Sequence, residues 1–361
     1  MKELNIGGLT ARVPIIQGGM AVGISRSGLA AAVANAGGIG VIATAGAGYL
    51  QDDVYSNYID ANNRVIVEEI RRAKSLTKGI IGVNIMVALS NYASLAIIAI
   101  EEGIDVIFAG AGLPLNLPSF LPEGNTHTKL VPIVSSGKAL TVIARRWMSK
   151  YNYVPDAVVV EGPLAGGHLG FRKDNLFNEE YSLENLVPDV LSHAKTIEDK
   201  YGKPVPVIPA GGIYTGADIH KFIKMGASGV QMATRFVATY ECDATDEMKN
   251  AYINARKEDI IIIESPVGMP GRAIRNQFLD DVASGHNKPF KCPFHCIITC
   301  NFKTAPYCIA KALCNATEGK LSEGFAFAGQ NVWRVDKIVH VSELIQSLED
   351  EYDEAEKISC P

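Results

Sequence analysis

Eight short apolar segments recur along the first two thirds of the chain and constrain its fold more than any other feature. Their apolar residues are consecutive rather than alternating, which is typical of parallel strands buried on both faces. Five of the seven offsets between successive segments are 24 to 26 residues, the length of one βα unit with short loops. The segments are Pro14–Met20, Gly38–Thr44, Ile80–Met86, Val106–Gly112, Val131–Ser136, Ala157–Gly162, Val205–Gly212 and Gly229–Phe236.

The stretches between these predicted strands have the residue spacing of helices, and several stop at a glycine, as helix ends commonly do. Repeated βα units predict an α/β fold, a (β/α)8 TIM barrel, with a doubly wound open sheet as the structural alternative. Two longer offsets, of 42 and 48 residues, leave room for insertions near Tyr49–Asn63 and Phe171–Tyr181. The predicted helices are Ser27–Ala36, Val65–Leu76, Tyr92–Glu102, Ala139–Tyr151 and Asp218–Met225.

The repeat ends after Phe236, and the remaining residues follow a different pattern. We therefore predict three units: a cofactor-binding barrel over residues 1–236, a smaller lid domain over 237–335, and a C-terminal helix within 336–361. The helix is predicted at Val341–Glu354, which is acidic and amphipathic. Because the lid follows strand eight, we expect it to lie over the mouth of the barrel.

Net charge and hydropathy limit the kinds of molecule that this chain is expected to bind. The chain has 34 Lys and Arg residues against 39 Asp and Glu, a net charge of -5, so we expect neither nucleic acid nor a membrane as partner. The longest apolar run, near Ala93–Ile100, is too short to cross a bilayer, and the first residues lack the apolar core of a signal peptide. We expect a cytoplasmic protein that acts on a small-molecule substrate, and we leave a homodimer open.

The active site of a barrel lies at the carboxyl ends of its strands. Here those ends hold glycines, amides and hydroxyls, among them Asn84, Gln231 and Thr234. The first strand carries no His-x-His and the sixth does not end in lysine, which disfavours metal-dependent hydrolases and Schiff-base aldolases. These side chains predict a site for a flat, polar cofactor.

Strands seven and eight carry the strongest local signal for a phosphate site. Gly211 and Gly212 end strand seven, and a helix is predicted to start near Thr215–Asp218. Glycine lets backbone N–H groups approach a ligand, and a helix start adds partial positive charge. Barrels commonly bind phosphate at this place, although the two glycines could instead serve only to turn the chain.

His168 follows two glycines just after strand six, in the sequence EGPLAGGHLG over Glu161–Gly170. This position places the imidazole in the mouth of the barrel. A neutral imidazole there would accept a proton from a substrate or orient it near neutral pH. A purely structural role for His168 is the alternative.

Six motifs together resemble the nitronate monooxygenase family, formerly called 2-nitropropane dioxygenases, which shares its fold with flavin-type enoyl-acyl-carrier-protein reductases. They occur in the family's order and span most of the chain. The motifs are PIIQGGM, GVNIM, EGPLAGGHLG, PAGGI, QMATRF and GRAIRNQF, the last at Gly271–Phe278.

The resemblance implies FMN in the mouth of the barrel, a lid domain, and His168 as the catalytic histidine. Two positions depart from the family pattern: Leu164 stands where many relatives have Glu, and Ala233 where many have Gly. By position, the residues beside the flavin would be Gln17, Gly18, Gly19, Met20, Asn84, Glu161 and Gly166, and those at its phosphate Gly211, Gly212, Ala233 and Thr234, with Gln231 nearby.

The activity that this resemblance implies is the oxidation of small alkyl nitronates by dioxygen, which yields a carbonyl compound and nitrite. The main alternative is an enoyl-acyl-carrier-protein reductase that uses FMN and takes electrons from NAD(P)H. A non-catalytic sensor that binds flavin or a metal is an alternative of another class.

Five cysteines crowd one stretch of the predicted lid. If this stretch is helical, Cys292, Cys296 and Cys300 share one face, and together with Cys308 they could hold a four-thiolate cluster. The other interpretation is that they are reduced thiols that pack as small apolar side chains.

Overall fold

The structure is a computed structural model that describes residues 1–288, 290–292 and 294–359. Its strands are β1 (Leu4–Ile6), β2 (Leu9–Ala11), β3 (Ile15–Gln17), β4 (Gly40–Ala43), β5 (Ile81–Met86), β6 (Val106–Gly110), β7 (Lys129–Val134), β8 (Val158–Glu161), β9 (Gly167–His168), β10 (Val207–Ala210), β11 (Val230–Met232), β12 (Ile260–Glu264) and β13 (Pro270–Ile274). Its α-helices are α1 (Ser27–Asn35), α2 (Tyr58–Leu76), α3 (Tyr92–Glu101), α4 (Gly137–Tyr151), α5 (Leu183–Tyr201), α6 (Gly216–Lys224), α7 (Thr234–Val237), α8 (Asp246–Ile253), α9 (Gln277–Ala283), α10 (Ile309–Thr317) and α11 (Val341–Ser359).

Eight parallel strands form the central sheet in the order β3-β11-β10-β8-β7-β6-β5-β4. The two ends of this sheet meet at the start of β4. There the Ile39 N–H donates to the Ile15 carbonyl, and the Gln17 N–H donates to the Ile39 carbonyl, both at 3.0 Å. The predicted barrel is therefore confirmed, and the open sheet is excluded as its architecture.

Apolar side chains lie on both sides of the barrel wall. Inside the barrel, Ile16, Phe108 and Val159 are fully buried, and the β1–β2 hairpin adds Leu4 and Ile6 to the same cluster. A second, larger cluster fills the space between the strands and the surrounding helices. Burial on both faces explains why the strand segments are continuously apolar in the sequence.

The fourth βα unit departs from the repeat. Between β6 and β7 the structure has only a 3-10 helix, Leu117–Phe120. Three prolines four residues apart, Pro114, Pro118 and Pro122, occupy this connection. Each removes a backbone N–H donor and clashes with the preceding turn of an α-helix, which accounts for the missing helix.

The C-terminal helix α11 completes the barrel. It packs along α6 so closely that a Cβ at Gly216 would lie 2.3 Å from the Leu348 carbonyl oxygen. Leu344, Ile345 and Leu348 are buried in the main core. The lid is therefore an insertion between strand eight and its helix, and the predicted 336–361 unit packs as part of the barrel up to residue 359, beyond which it lies outside the described residues.

The lid contains its own sheet and core. β12 and β13 pair antiparallel, and β13 also pairs with β9, which belongs to the loop after β8. Phe278, Tyr307 and Phe325 pack together below this sheet. The predicted lid is thus joined to the barrel through the very loop that carries His168.

Over the ranges that the structure describes, no helix is both long enough and apolar enough to cross a membrane.

We expect the contact between α11 and the barrel to contribute strongly to stability. Leu348→Ala should lower the free energy of unfolding by about 2–5 kcal/mol, because it removes a fully buried side chain and leaves a cavity. Ile358→Ala on the same helix should change it by less than about 0.5 kcal/mol, since Ile358 is 79% exposed. Urea unfolding followed by circular dichroism measures both, and equal effects would contradict the packing described.

Candidate active site

One large cavity lies at the carboxyl ends of the barrel strands, under the lid. It has a volume of about 560 Å³ and is open on one side. The structure brings together in its wall every residue predicted to contact the flavin or to act in catalysis, except Gln17. These are Gly18, Gly19, Met20, Asn84, Glu161, Gly166, His168, Gly211, Gly212, Gln231, Ala233 and Thr234.

Gln17 supports the cavity from behind instead of lining it. Its side chain is fully buried, donates to the Ser25 hydroxyl at 3.0 Å, and accepts a hydrogen bond from the Val41 N–H at 3.1 Å. The Ser25 hydroxyl in turn accepts from the Met20 N–H at 2.9 Å. The Gln17 side chain thus fixes the loop that follows β3.

Asn84, in β5, lies very close to the loop that follows β3. A Cβ at Gly19 would lie 2.4 Å from the Asn84 Cβ, so only glycine fits at that position. The Asn84 backbone carbonyl accepts from the Thr44 hydroxyl at 2.9 Å, and Asn84 lines the cavity.

The predicted phosphate rim, Gly211 and Gly212 with Ala233 and Thr234, forms where β10 and β11 end. Both glycines have positive φ, +91° and +87°, which other L-residues rarely adopt. The lid holds this rim in place: Asn331 Nδ2 donates to the Gly212 carbonyl at 2.6 Å, and the Thr234 hydroxyl accepts from the Gly329 N–H at 3.1 Å.

The start of α6 does not contribute to this rim as the sequence suggests. Its N-terminal N–H groups bind protein carboxylates: Gly216 donates to Glu351 Oε2 at 2.7 Å, and Thr215 donates to Asp218 Oδ2 at 2.8 Å. The prediction that this helix start binds phosphate is therefore wrong. The helix that begins at the rim is the short α7, whose first residue is Thr234.

His168 lies in β9 and is held from the lid. Its Nε2 is 2.7 Å from the Ser265 hydroxyl oxygen, and its ring packs edge-on against Phe327 with centroids 5.0 Å apart. Removal from bulk water lowers the pKa of His168 to about 4, so the imidazole is neutral at physiological pH. Ser265 follows β12 and is 97 residues away along the chain, which is why the sequence did not reveal it.

Arg272 fixes the loop between β8 and β9. Its guanidinium is fully buried and donates from Nη1 to the Pro163 and Ala165 carbonyls at 2.5 and 2.7 Å. Burial lowers the pKa of Arg272 to about 10, which still leaves it charged at neutral pH. Arg272 stands in the GRAIRNQF motif, whose chemical role the sequence alone did not indicate.

The cavity wall is nearly free of charge. Among the residues that the structure describes, it contains neither lysine nor arginine. Burial raises the pKa of Glu161 to about 7, so this carboxyl is about half protonated at neutral pH. The described cavity wall therefore offers uncharged hydrogen-bonding groups and one titratable carboxyl, that of Glu161.

Among the described residues, Cys292, Cys296 and Cys300 lie outside any helix and so do not share a helix face, whereas Cys314 lies within α10. Within the described residues, no three His, Cys, Asp or Glu side chains are placed to hold one metal ion. Cys292, Cys296, Cys300 and Cys308 are free thiols, and burial raises the pKa of Cys296 to about 12. The Cys296 side chain packs in an apolar cluster with Tyr58 and Phe294.

The cavity fits a flavin by its own features. Two positive-φ glycines at a barrel phosphate position, the strand-end amides Asn84 and Gln231, and a long apolar wall are what a planar heterocycle with a phosphate tail requires.

Among curated proteins, the similar sequences align with only part of this chain. The chain is 27% identical over 216 residues to a (3aS,4S,5R,7aS)-5-hydroxy-7a-methyl-1-oxo-octahydro-1H-indene-4-carboxyl-CoA dehydrogenase of Mycobacterium tuberculosis, covering 60% of this chain and 54% of that protein. It is 33% identical over 129 residues to a probable nitronate monooxygenase of Staphylococcus aureus, covering 36% and 34%. The chain thus spans about half or less of these relatives.

Solved structures match over nearly the whole length. FabK from Thermotoga maritima superposes with a TM-score of 0.74 at 28% identity, covering 97% of this chain and 96% of that one. A nitroalkane oxidase from Streptomyces ansochromogenes superposes with a TM-score of 0.73 at 21% identity, covering 97% and 98%, which shows a shared fold.

The family model named nitronate monooxygenase matches residues 3–351, nearly the entire chain. Because this match spans well over half of the chain, the protein belongs to the nitronate monooxygenase family.

Proposed function

We propose that the protein uses FMN to oxidise small alkyl nitronates with dioxygen, yielding a carbonyl compound and nitrite. The observation that carries this proposal is a neutral imidazole, His168, in an almost uncharged cavity under a lid. Such a site suits a substrate whose negative charge is delocalised, because the free energy of desolvating such an anion is small.

Several residues of this chain would hold FMN. Gly211, Gly212 and Thr234 would contact its phosphate, while Asn84 and Gln231 would bind its polar edge. When bound, FMN supplies two-electron redox chemistry and reactivity with dioxygen.

His168 would bind the nitro group of the substrate. When the Ser265 hydroxyl donates to Nε2, the ring proton resides on Nδ1, which makes that nitrogen a hydrogen-bond donor toward an anionic oxygen. Phe327 and Arg272 hold the ring and its loop, so this donor is positioned before the substrate arrives. The lid keeps water from the site, which strengthens each such hydrogen bond.

Reduction of an enoyl thioester, with NAD(P)H as electron donor, is the second candidate. The whole-length similarity to FabK supports it, and so does Glu161, because a carboxyl group with a pKa of about 7 can donate a proton at neutral pH.

The two candidates differ in the electron donor. Anaerobic addition of NADPH should leave the flavin absorbance of a nitronate oxidase unchanged, whereas bleaching followed by recovery with an enoyl thioester would favour the reductase.

Replacing His168 tests the proposed function directly. We expect His168→Ala to lower kcat/KM for an alkyl nitronate by about 100- to 1,000-fold, because a positioned hydrogen-bond donor is lost. Nitrite release measures the rate, and the flavin absorbance verifies that the cofactor is retained. His286→Ala, an exposed histidine of the lid, is the matched control and should have wild-type activity. Wild-type rates in His168→Ala, or no nitrite from the wild type, would refute the proposal.

The pH dependence should follow Glu161 and not His168. Because the pKa of His168 is lowered to about 4, its neutral form is lost only below that pH, and activity should not fall between pH 7 and 5. Because the pKa of Glu161 is raised to about 7, a carboxylate forms above that pH and repels an anionic substrate. We expect kcat/KM to decrease about tenfold or more from pH 7 to 9.

Glu161→Gln separates this effect from titration of the substrate. The variant should show a flat kcat/KM over the same range, measured by nitrite release with freshly prepared nitronate and full flavin occupancy. An unchanged decrease in Glu161→Gln would assign the effect to another group.

A further inference from the structure

The cysteine-rich stretch forms part of the cavity wall. We use "roof segment" for residues 294–300. Its backbone joins the loop after β5: the Ser90 N–H donates to the Cys296 carbonyl at 3.1 Å, and the Ile298 N–H donates to the Ala88 carbonyl at 3.0 Å. Phe294 anchors it by packing on Tyr55 and Tyr58, with ring centroids 5.3 and 5.2 Å apart. The roof segment is thus fixed to the barrel rim.

This wall stands across the mouth from the phosphate rim. In the ring of eight strands, β5 is four positions from β10, the largest separation the ring allows, and β4 is two positions from β11. The phosphate rim follows β10 and β11, whereas the roof segment lies beyond the ends of β4 and β5. Asn84, which would bind the polar edge of the flavin, lies within β5, whereas the roof segment bonds to Ala88 and Ser90 beyond the end of that strand. The roof side therefore lies farther out from the barrel than the predicted flavin edge, where a second ligand would contact it.

The roof side of the cavity is apolar. It is lined by Leu89, Ile297, Ile309 and Leu313, with the Cys296 thiol between them. Burial raises the pKa of Cys296 to about 12, so its thiol is uncharged and acts as a small apolar group. We use "apolar arm" for the part of the cavity bounded by these five residues. It belongs to the same continuous cavity as His168.

We infer that the apolar arm binds the hydrocarbon chain of the substrate, so that the enzyme prefers unbranched chains of increasing length at the reacting group. This inference rests on the proposed function for the identity of the reacting group, but the arm itself is a property of the cavity. Ile297 is then a specificity-determining residue. Each methylene that enters the arm should raise affinity about fourfold, until the arm is full.

Straight-chain carboxylates from propanoate to decanoate test the inference without turnover. A carboxylate has the planar, two-oxygen anionic group of a nitronate and is inert toward oxidation here. Binding to the flavin-loaded protein is measured by calorimetry and by the shift of the flavin absorbance. We expect Kd to decrease steadily with chain length in the wild type. A Kd that does not depend on chain length would overturn the inference.

Two neighbouring isoleucines provide a matched pair of variants. Ile297→Trp fills the arm and should abolish the dependence of Kd on chain length while leaving propanoate binding within about twofold. Ile298→Trp places the same bulk on an exposed neighbour, 72% exposed, and should keep the wild-type series. Identical series for the two variants would contradict the role of Ile297.

A smaller substitution covers the case in which Ile297→Trp fails to fold. Ile297→Ala should weaken decanoate binding about 3- to 10-fold and leave propanoate binding unchanged, since the wall loses contact only with the distal methylenes. Equal losses for both ligands would argue against the arm.

The two proposals fail in different ways. Chain-length-dependent Kd without nitrite from any nitronate would leave the arm standing and refute the proposed function. Nitrite release with a flat Kd series would do the reverse.

Discussion

One buried arginine connects the parts of this protein on which the site depends. Arg272 belongs to lid strand β13, yet its guanidinium binds the Pro163 and Ala165 carbonyls of the barrel loop that carries His168. The same strand pairs its backbone with Gly167 and His168. Hydrogen bonds from a charged donor contribute about 1.5–3 kcal/mol each. The position of His168 relative to the lid is therefore fixed by this one contact region.

This contact also determines the electrostatics of the site. The guanidinium donates its hydrogen bonds to backbone carbonyls of the loop, and it is buried away from the cavity wall. Within the part of the chain described, the cavity wall offers no other cation, and burial keeps His168 neutral through a pKa of about 4. A ligand is consequently recognised by hydrogen bonds and apolar contact, which favours delocalised anions and neutral molecules over compact, strongly hydrated ones.

Features that depend on local sequence could be predicted, and features that depend on distant contacts could not. The strands followed from consecutive apolar residues, and the place of Gly211 and Gly212 in the cavity wall followed from their position at a strand end. By contrast, Glu351 caps α6 from 135 residues away, and Ser265 meets His168 from 97 residues away. Gln17 shows a third limit: its motif identified the right loop, but only the packing showed that its side chain points behind the cavity wall.

The position of the lid in the chain explains how the cofactor site and the apolar arm can vary separately. The chain leaves the barrel and returns to it side by side, since Tyr240 N–H donates to the Val339 carbonyl at 3.0 Å and Val339 N–H donates to the Ala238 carbonyl at 3.2 Å. An insertion whose ends are adjacent costs the barrel little loop-closure entropy, whatever its length. The predicted phosphate rim lies on the barrel, whereas the roof segment of the lid supplies the opposite wall. Changes in that segment can therefore alter the shape of the arm without moving Gly211, Gly212 or His168.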